Sequence, residues 1–173
     1  MKTTFNLLLG TLLAIAATST LAQSGPTDAQ IAAIVVAANS VDIEAGKYAE
    51  SKSPNEDVKA FAERMVVDHS GVNKQAVALV NKLNVTPEEN DTSKSLKQNG
   101  ADTLAKFQNL NGKEFDKAYI DNEVAYHQAV IDALDNTLIP NAKNEELKAL
   151  LVKVRPAFIA HLEHAKHMQM SFK

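Results

Sequence analysis

The stretch FAERMVVDHS, residues 61–70, lies in a run whose apolar residues recur at steps of three and four. Val58, Phe61, Met65, Val72, Ala76, Leu79 and Leu83 fall on one stripe of an α-helix, and His69 occupies the stripe where the pattern asks for a hydrocarbon. A stripe this long can be buried only against other helices, so the chain must build a helical bundle. Three further segments carry the same signature. The first gives Ile34, Ala37, Val41, Glu44 and Tyr48. The third gives Ile120, Glu123, His127, Ile131 (or Val130) and Leu134. The fourth gives Leu147, Leu151, Val154, Phe158, His161, Ala165 and Met168. Strand alternation is absent, and Gly and Pro sit at segment boundaries.

Helix-start signals divide the chain. Thr27-Asp28-Ala29-Gln30 reads as a capping box opening a helix to about Lys52. Ser53-Pro54-Asn55-Glu56 reads as a second box, and that helix reaches about Asn84. Thr86-Pro87-Glu88-Glu89 repeats the device, and the polar segment from Asn90 to Leu110, with Gly100 inside it, is expected to be a connection carrying one weak helix. Asn111-Gly112-Lys113-Glu114 opens a third long helix to about Asn136, TLIPN is expected to turn, and Asn144 starts a fourth long helix to about Met170. Pro156 inside that helix frees the Val152 carbonyl and should kink the axis. Four long helices with a connection of roughly 25 residues in the middle suggest two hairpins joined by a crossover, an all-α, ferritin-like four-helix bundle.

Residues 1–22 read as a signal peptide: Lys2, the apolar run FNLLLGTLLAIAA, and small residues Thr20 and Ala22 before a cleavage after Ala22. The remaining 23–173 suffices for one domain with a real core. Removing the leader takes only Lys2, leaving 17 Lys+Arg against 21 Asp+Glu. With no basic stripe, nucleic acid is not an expected partner. No cysteine is present, which excludes a lipid-anchored lipoprotein, disulfides and thiolate metal sites. The expected address is periplasmic or secreted, with an envelope protein or a membrane surface, including the outer membrane, as the kind of partner such an address implies. No small-molecule substrate can be identified, and the oligomeric state is not legible.

Every long helix puts an ionisable residue on its apolar face. Burying four unpaired polar groups would cost several kcal/mol, so they should satisfy one another or share an ion. At about 1.5 Å of rise per residue, His69 and His127 share one level of an antiparallel bundle, and Glu44 and His161 another roughly 10 Å away. A one-turn adjustment at each end would bring all four around one centre; otherwise they form two pairs. Imidazole with carboxylate suits a transition metal such as zinc or iron, so Glu44, His69, His127 and His161 are the candidate ligands. The competing reading is a buried His/Glu hydrogen-bond network that fixes helix register. A di-iron carboxylate site needs Glu-x-x-His on two helices, and no histidine here has Glu three residues before it. In HLEHAKH, His164 stands beside His161 at chelating spacing or faces solvent, whereas His167 is expected in solvent near the helix C-terminus. Asp68 either holds the His69 ring or faces water, and water is the expectation. No G-x-S-x-G, P-loop or H-E-x-x-H occurs, so no hydrolase or nucleotide site is predicted.

FAERMVVDHS, then GKEFDKAYIDNEVAYH, then RPAFIAHLEHA resemble, in order, three blocks of the bacterial family designated domain of unknown function 4142, whose members are exported and often labelled membrane or outer-membrane proteins. The resemblance covers about residues 28–170. It implies a ferritin-like helical bundle and an exported protein, but no activity. It matches Asp68, His69, Phe115, Asp116, Tyr119, His127, Pro156, His161 and Leu162 to family positions, and Glu44 to an acidic position in the first helix. It places Glu123 where other members often have Gln or Met, which argues against Glu123 as a ligand.

Overall fold

In the computed structural model the described residues are 25–172; the expected leader, residues 1–22, lies outside them. They form five principal helices and no strand: α1 (Asp28–Lys52), α2 (Glu56–Lys82), α3 (Asp91–Gln108), α4 (Gly112–Ala133) and α5 (Glu145–Gln169). The polar connection is thus a full helix of 18 residues, α3, rather than a weak one. TLIPN does not turn either: α4 runs on through a π-helical segment, Leu134–Leu138, and a last helical turn, Ile139–Asn141. Leu134 and Leu138 are buried there, so the helical path continues because its apolar stripe still has a core to cover.

The caps explain most boundaries. Thr27 and Gln30 make the expected reciprocal box, with Gln30 N donating to Thr27 Oγ1 and Thr27 N to Gln30 Oε1. Asn144 accepts from Glu146 N and Leu147 N and so starts α5. Two expected boxes are displaced. Asn55, not Ser53, caps α2, accepting from Asp57 N and Val58 N. Ser53 instead ends α1, and its hydroxyl donates to Asp116 Oδ1 at 2.6 Å, tying the first hairpin to the start of α4. Asn90, not Thr86, opens α3, in a box with Ser93. α2 ends on Asn84 at φ +51°, in the left-handed region, while Val85 N closes on Val80 O. Pro156 sits on the exposed face of α5, within a helix that continues past it.

The helices alternate in direction as two antiparallel hairpins, α1–α2 and α4–α5, with α2 also packed on α5 and α1 on α4. α3 lies along α1 and parallel to it. At one end Glu88 N donates to Ala29 O and Asn90 Nδ2 to Gln30 O, and at the other Lys52 Nζ donates to Gln108 O. α3 therefore carries the chain back along the bundle, and the two hairpin turns fall at opposite ends. Two apolar cores result. One centres on Ile31, Val72, Leu134, Leu151 and Phe158, the other on Phe61, Met65, Phe107, Phe115 and Tyr119. Between them lies a layer of buried polar groups. α1 is also apolar and long enough to cross a membrane by length and composition, but half of its most apolar window is buried inside the bundle.

Candidate metal centre

The polar layer draws on all four bundle helices. The stripes of α2, α4 and α5 deliver their expected residues: His69 (2 % exposed), Glu123 (0 %), His127 (0 %) and His161 (1 %). The stripe of α1 does not. Glu44 is exposed, and Asp42 (1 %) with Asn39 (3 %) faces inward in its place. Two residues along a helix turn about 200°, so Glu44 and Asp42 lie on nearly opposite faces. α1 is clad by α2 and α4 on one side and by α3 on another, so its apolar residues surround it and its phase could not be set by periodicity alone. The missed signal was Asn39-x-x-Asp42, two polar residues at helical spacing inside an otherwise apolar run.

Nor do the groups split into two levels. Ligand-capable atoms of His69, His127 and His161 lie within 4.8 Å of one another, and so do those of Asp42, Glu123 and His127, which joins both sets in one centre. His69 Nε2 is 3.3 Å from His127 Nε2 and 2.6 Å from Asp42 Oδ2, and His127 Nε2 is 3.7 Å from Asp42 Oδ2. Glu123, set aside as a ligand on the strength of the resemblance, is fully inside, its Oε2 3.4 Å from His127 Nδ1.

The outer nitrogens fix the tautomers. Asn39 Nδ2 donates to Val35 O at 2.7 Å, which turns its oxygen toward His69 Nδ1, also at 2.7 Å, so that Nδ1 carries the proton. His127 Nδ1 donates to Glu123 O at 3.1 Å. His161 Nε2 donates to Asp68 Oδ2 at 2.8 Å, so Asp68 holds His161 rather than the His69 ring, and is itself bonded by Arg64 Nε. The remaining nitrogens, Nε2 of His69, Nε2 of His127 and Nδ1 of His161, point inward, and of these His69 Nε2 meets Asp42 Oδ2 at 2.6 Å. His161 Nδ1, both Glu123 oxygens and Asp42 Oδ1 have no hydrogen-bond donor. His69 also stacks on Phe158, with ring centroids 5.0 Å apart, which holds its plane.

The electrostatics follow from this crowding. Burial would raise the Asp42 carboxyl, but the attraction and hydrogen bond of His69, with the attraction of His127, hold it below the usual carboxylate range. Glu123 is pushed well up by burial and by the neighbouring Asp42 charge, against the attraction of His69. His161 is lowered to about 4, first by burial and then by His69 and His127, against the opposing pull of Asp68. A cation among these atoms would use the inward nitrogens and the orphaned oxygens. The donor set of three imidazoles and two carboxylates fits zinc or iron, and each ring's outer nitrogen already has the partner that orients metal-bound histidines. His164 and His167 are exposed; His164 packs edge-on against Phe61 and takes no part.

Around the centre, Tyr119 leaves a buried hydroxyl without a partner, and Tyr126 donates its hydroxyl to Ala38 O. On one side the centre meets a cavity of about 390 Å³ between α1, α3 and α4, which Asp42, His69 and Glu123 help to line.

These features define an all-helical protein with a buried His/carboxylate cluster between two apolar cores. The family described as Domain of unknown function (DUF4142) matches residues 12–168, and the chain belongs to it. No curated protein and no solved structure matches the chain.

Proposed function

We propose that this chain is an exported, ferritin-like helical bundle that binds one transition-metal ion, zinc or iron, through His69, His127, His161 and the carboxylates of Asp42 and Glu123. The observation that carries the reading is the orientation of the three rings. Each outer nitrogen is committed to a fixed acceptor and each inner one points at its neighbours. A network built only to hold register would be expected to pair every donor with an acceptor, whereas here His161 Nδ1, Asp42 Oδ1 and both Glu123 oxygens are left without a donor. The ferritin-like arrangement is supported by the two antiparallel hairpins and the crossover along α1, and export by the pattern of residues 1–22. The role is metal handling or an envelope stress response, with no reaction assigned.

A second reading has its own support. The 2.6 Å contact of His69 with Asp42 closes without an ion if that ring carries both protons, and the cluster would then only set helix register. Metal analysis of untagged protein separates the two. Near-stoichiometric zinc or iron, lost in His161→Ala and in Asp42→Asn, is expected on the first reading. Absence of metal after purification and after incubation with Zn(II) or Fe(II) would leave the second.

A further inference from the structure

We propose that the cavity between α3 and α4 binds a small, uncharged apolar molecule carrying one hydroxyl group, with its hydrocarbon body against Leu96, Leu134 and Val154 and its hydroxyl donated to the carboxylates of Asp42 and Glu123. The cavity is lined mainly by hydrocarbon, and its volume of about 390 Å³ exceeds what packing between helices normally leaves. It is not sealed. Ala125 and Ala129 of α4 and Asn99 of α3 line it and are exposed, so a path leads from solvent to the polar layer.

The buried end decides the chemistry of the occupant. Asp42 and Glu123 are 0–1 % exposed, line the cavity, and leave Asp42 Oδ1 and both Glu123 oxygens without a donor. Unpartnered buried carboxyl oxygens call for a donor, which a carboxylate or phosphate head does not supply. An ammonium would supply donors too, but would have to shed its water in an apolar passage with little to replace it. A hydroxyl offers the donor without that cost. This proposal does not need the metal reading, although Asp42 and Glu123 enter both: a bound ion would take their oxygens, so the hydroxyl is bound by the ion-free protein.

The test is calorimetric titration with 4-propylphenol, propylbenzene and 4-propylbenzoate, on protein stripped with EDTA and on His161→Ala, which alters the metal cluster and leaves the cavity walls alone. The phenol should bind both proteins, about tenfold more tightly than propylbenzene, with the benzoate weaker still. Ala129→Phe and Ala125→Phe, both at exposed helix positions where folding can be verified by circular dichroism, should weaken the phenol about tenfold or more by filling the entrance. No binding of the phenol at millimolar concentration, equal binding of propylbenzene, or undiminished binding in both phenylalanine variants would overturn the proposal. Untreated protein that holds no zinc or iron, even after incubation with Zn(II) or Fe(II), yet binds the phenol would overturn only the metal reading.

Discussion

Asp42 and Glu44 differ by two positions and by whether they see water, and that difference is testable. Glu44→Gln should leave metal content and melting temperature unchanged, because Glu44 faces solvent. Asp42→Asn should lower metal content, because it removes an anionic oxygen 2.6 Å from His69 Nε2. Asp68 acts one step further out. Its carboxylate accepts from His161 Nε2, so Asp68→Asn should weaken metal affinity roughly 10- to 100-fold while leaving the fold intact, measured by competition with a chromogenic chelator. The acid response of the metal-free protein follows from His161. Its folded-state value of about 4 lies below the 6.5 of an unfolded histidine, so the unfolded chain takes the proton first. The stability this group supports is complete above pH 6.5 and is lost as pH falls from there toward 4, by roughly 3 kcal/mol from this residue. Urea unfolding of the metal-free protein at pH 7.5 and 5 should show the direction, and His161→Phe should flatten it.

Amphipathic helices betray their phase in proportion to how one-sided their surroundings are. α2, α4 and α5 each keep a solvent face, so His69, Glu123, His127 and His161 could be placed inside from spacing alone. α1 is enclosed by neighbours on more than one side, so its periodicity does not separate the exposed Glu44 from the buried Asp42. The polar composition of α3 hides its packing, because its burial rests on few residues: Ser93, Gly100 and Phe107. Gly100 sets how closely α3 approaches α1. A Cβ there would lie 2.7 Å from Val41 Cγ1 and 3.3 Å from Val41 Cβ. Because valine has little rotamer freedom to yield, Gly100→Leu should displace α3 and cost about 1–3 kcal/mol. Val41→Ala should recover a measurable part of that loss in a double-mutant cycle followed by urea unfolding. The π-helical segment after α4 left no sequence signal that turn chemistry could not equally explain, since Pro140 and Asn141 suit a loop as well as a helix end.

Across the whole molecule, the proposed ion would be a ligand of the folded state only, and its removal should therefore register as lost stability. At free ion a hundredfold above the dissociation constant, binding adds about 2.7 kcal/mol, which corresponds to a rise in melting temperature of roughly 5–10 °C for a domain of this size. Differential scanning calorimetry before and after EDTA should show a drop of that order, and readdition of Zn(II) or Fe(II) should reverse it. Because the rings must be deprotonated on their inner nitrogens to bind, affinity should rise with pH and loading should release protons, measurable as a buffer-dependent heat. The cluster also spans the seam between the two hairpins: Asp42 and His69 belong to the first, Glu123, His127 and His161 to the second. An ion seated there would rivet one half of the molecule to the other. It would leave either by the hydrocarbon-lined passage beside α3, which offers nothing to replace its ligands, or when the halves draw apart, so such a protein would be slow to give up its cargo.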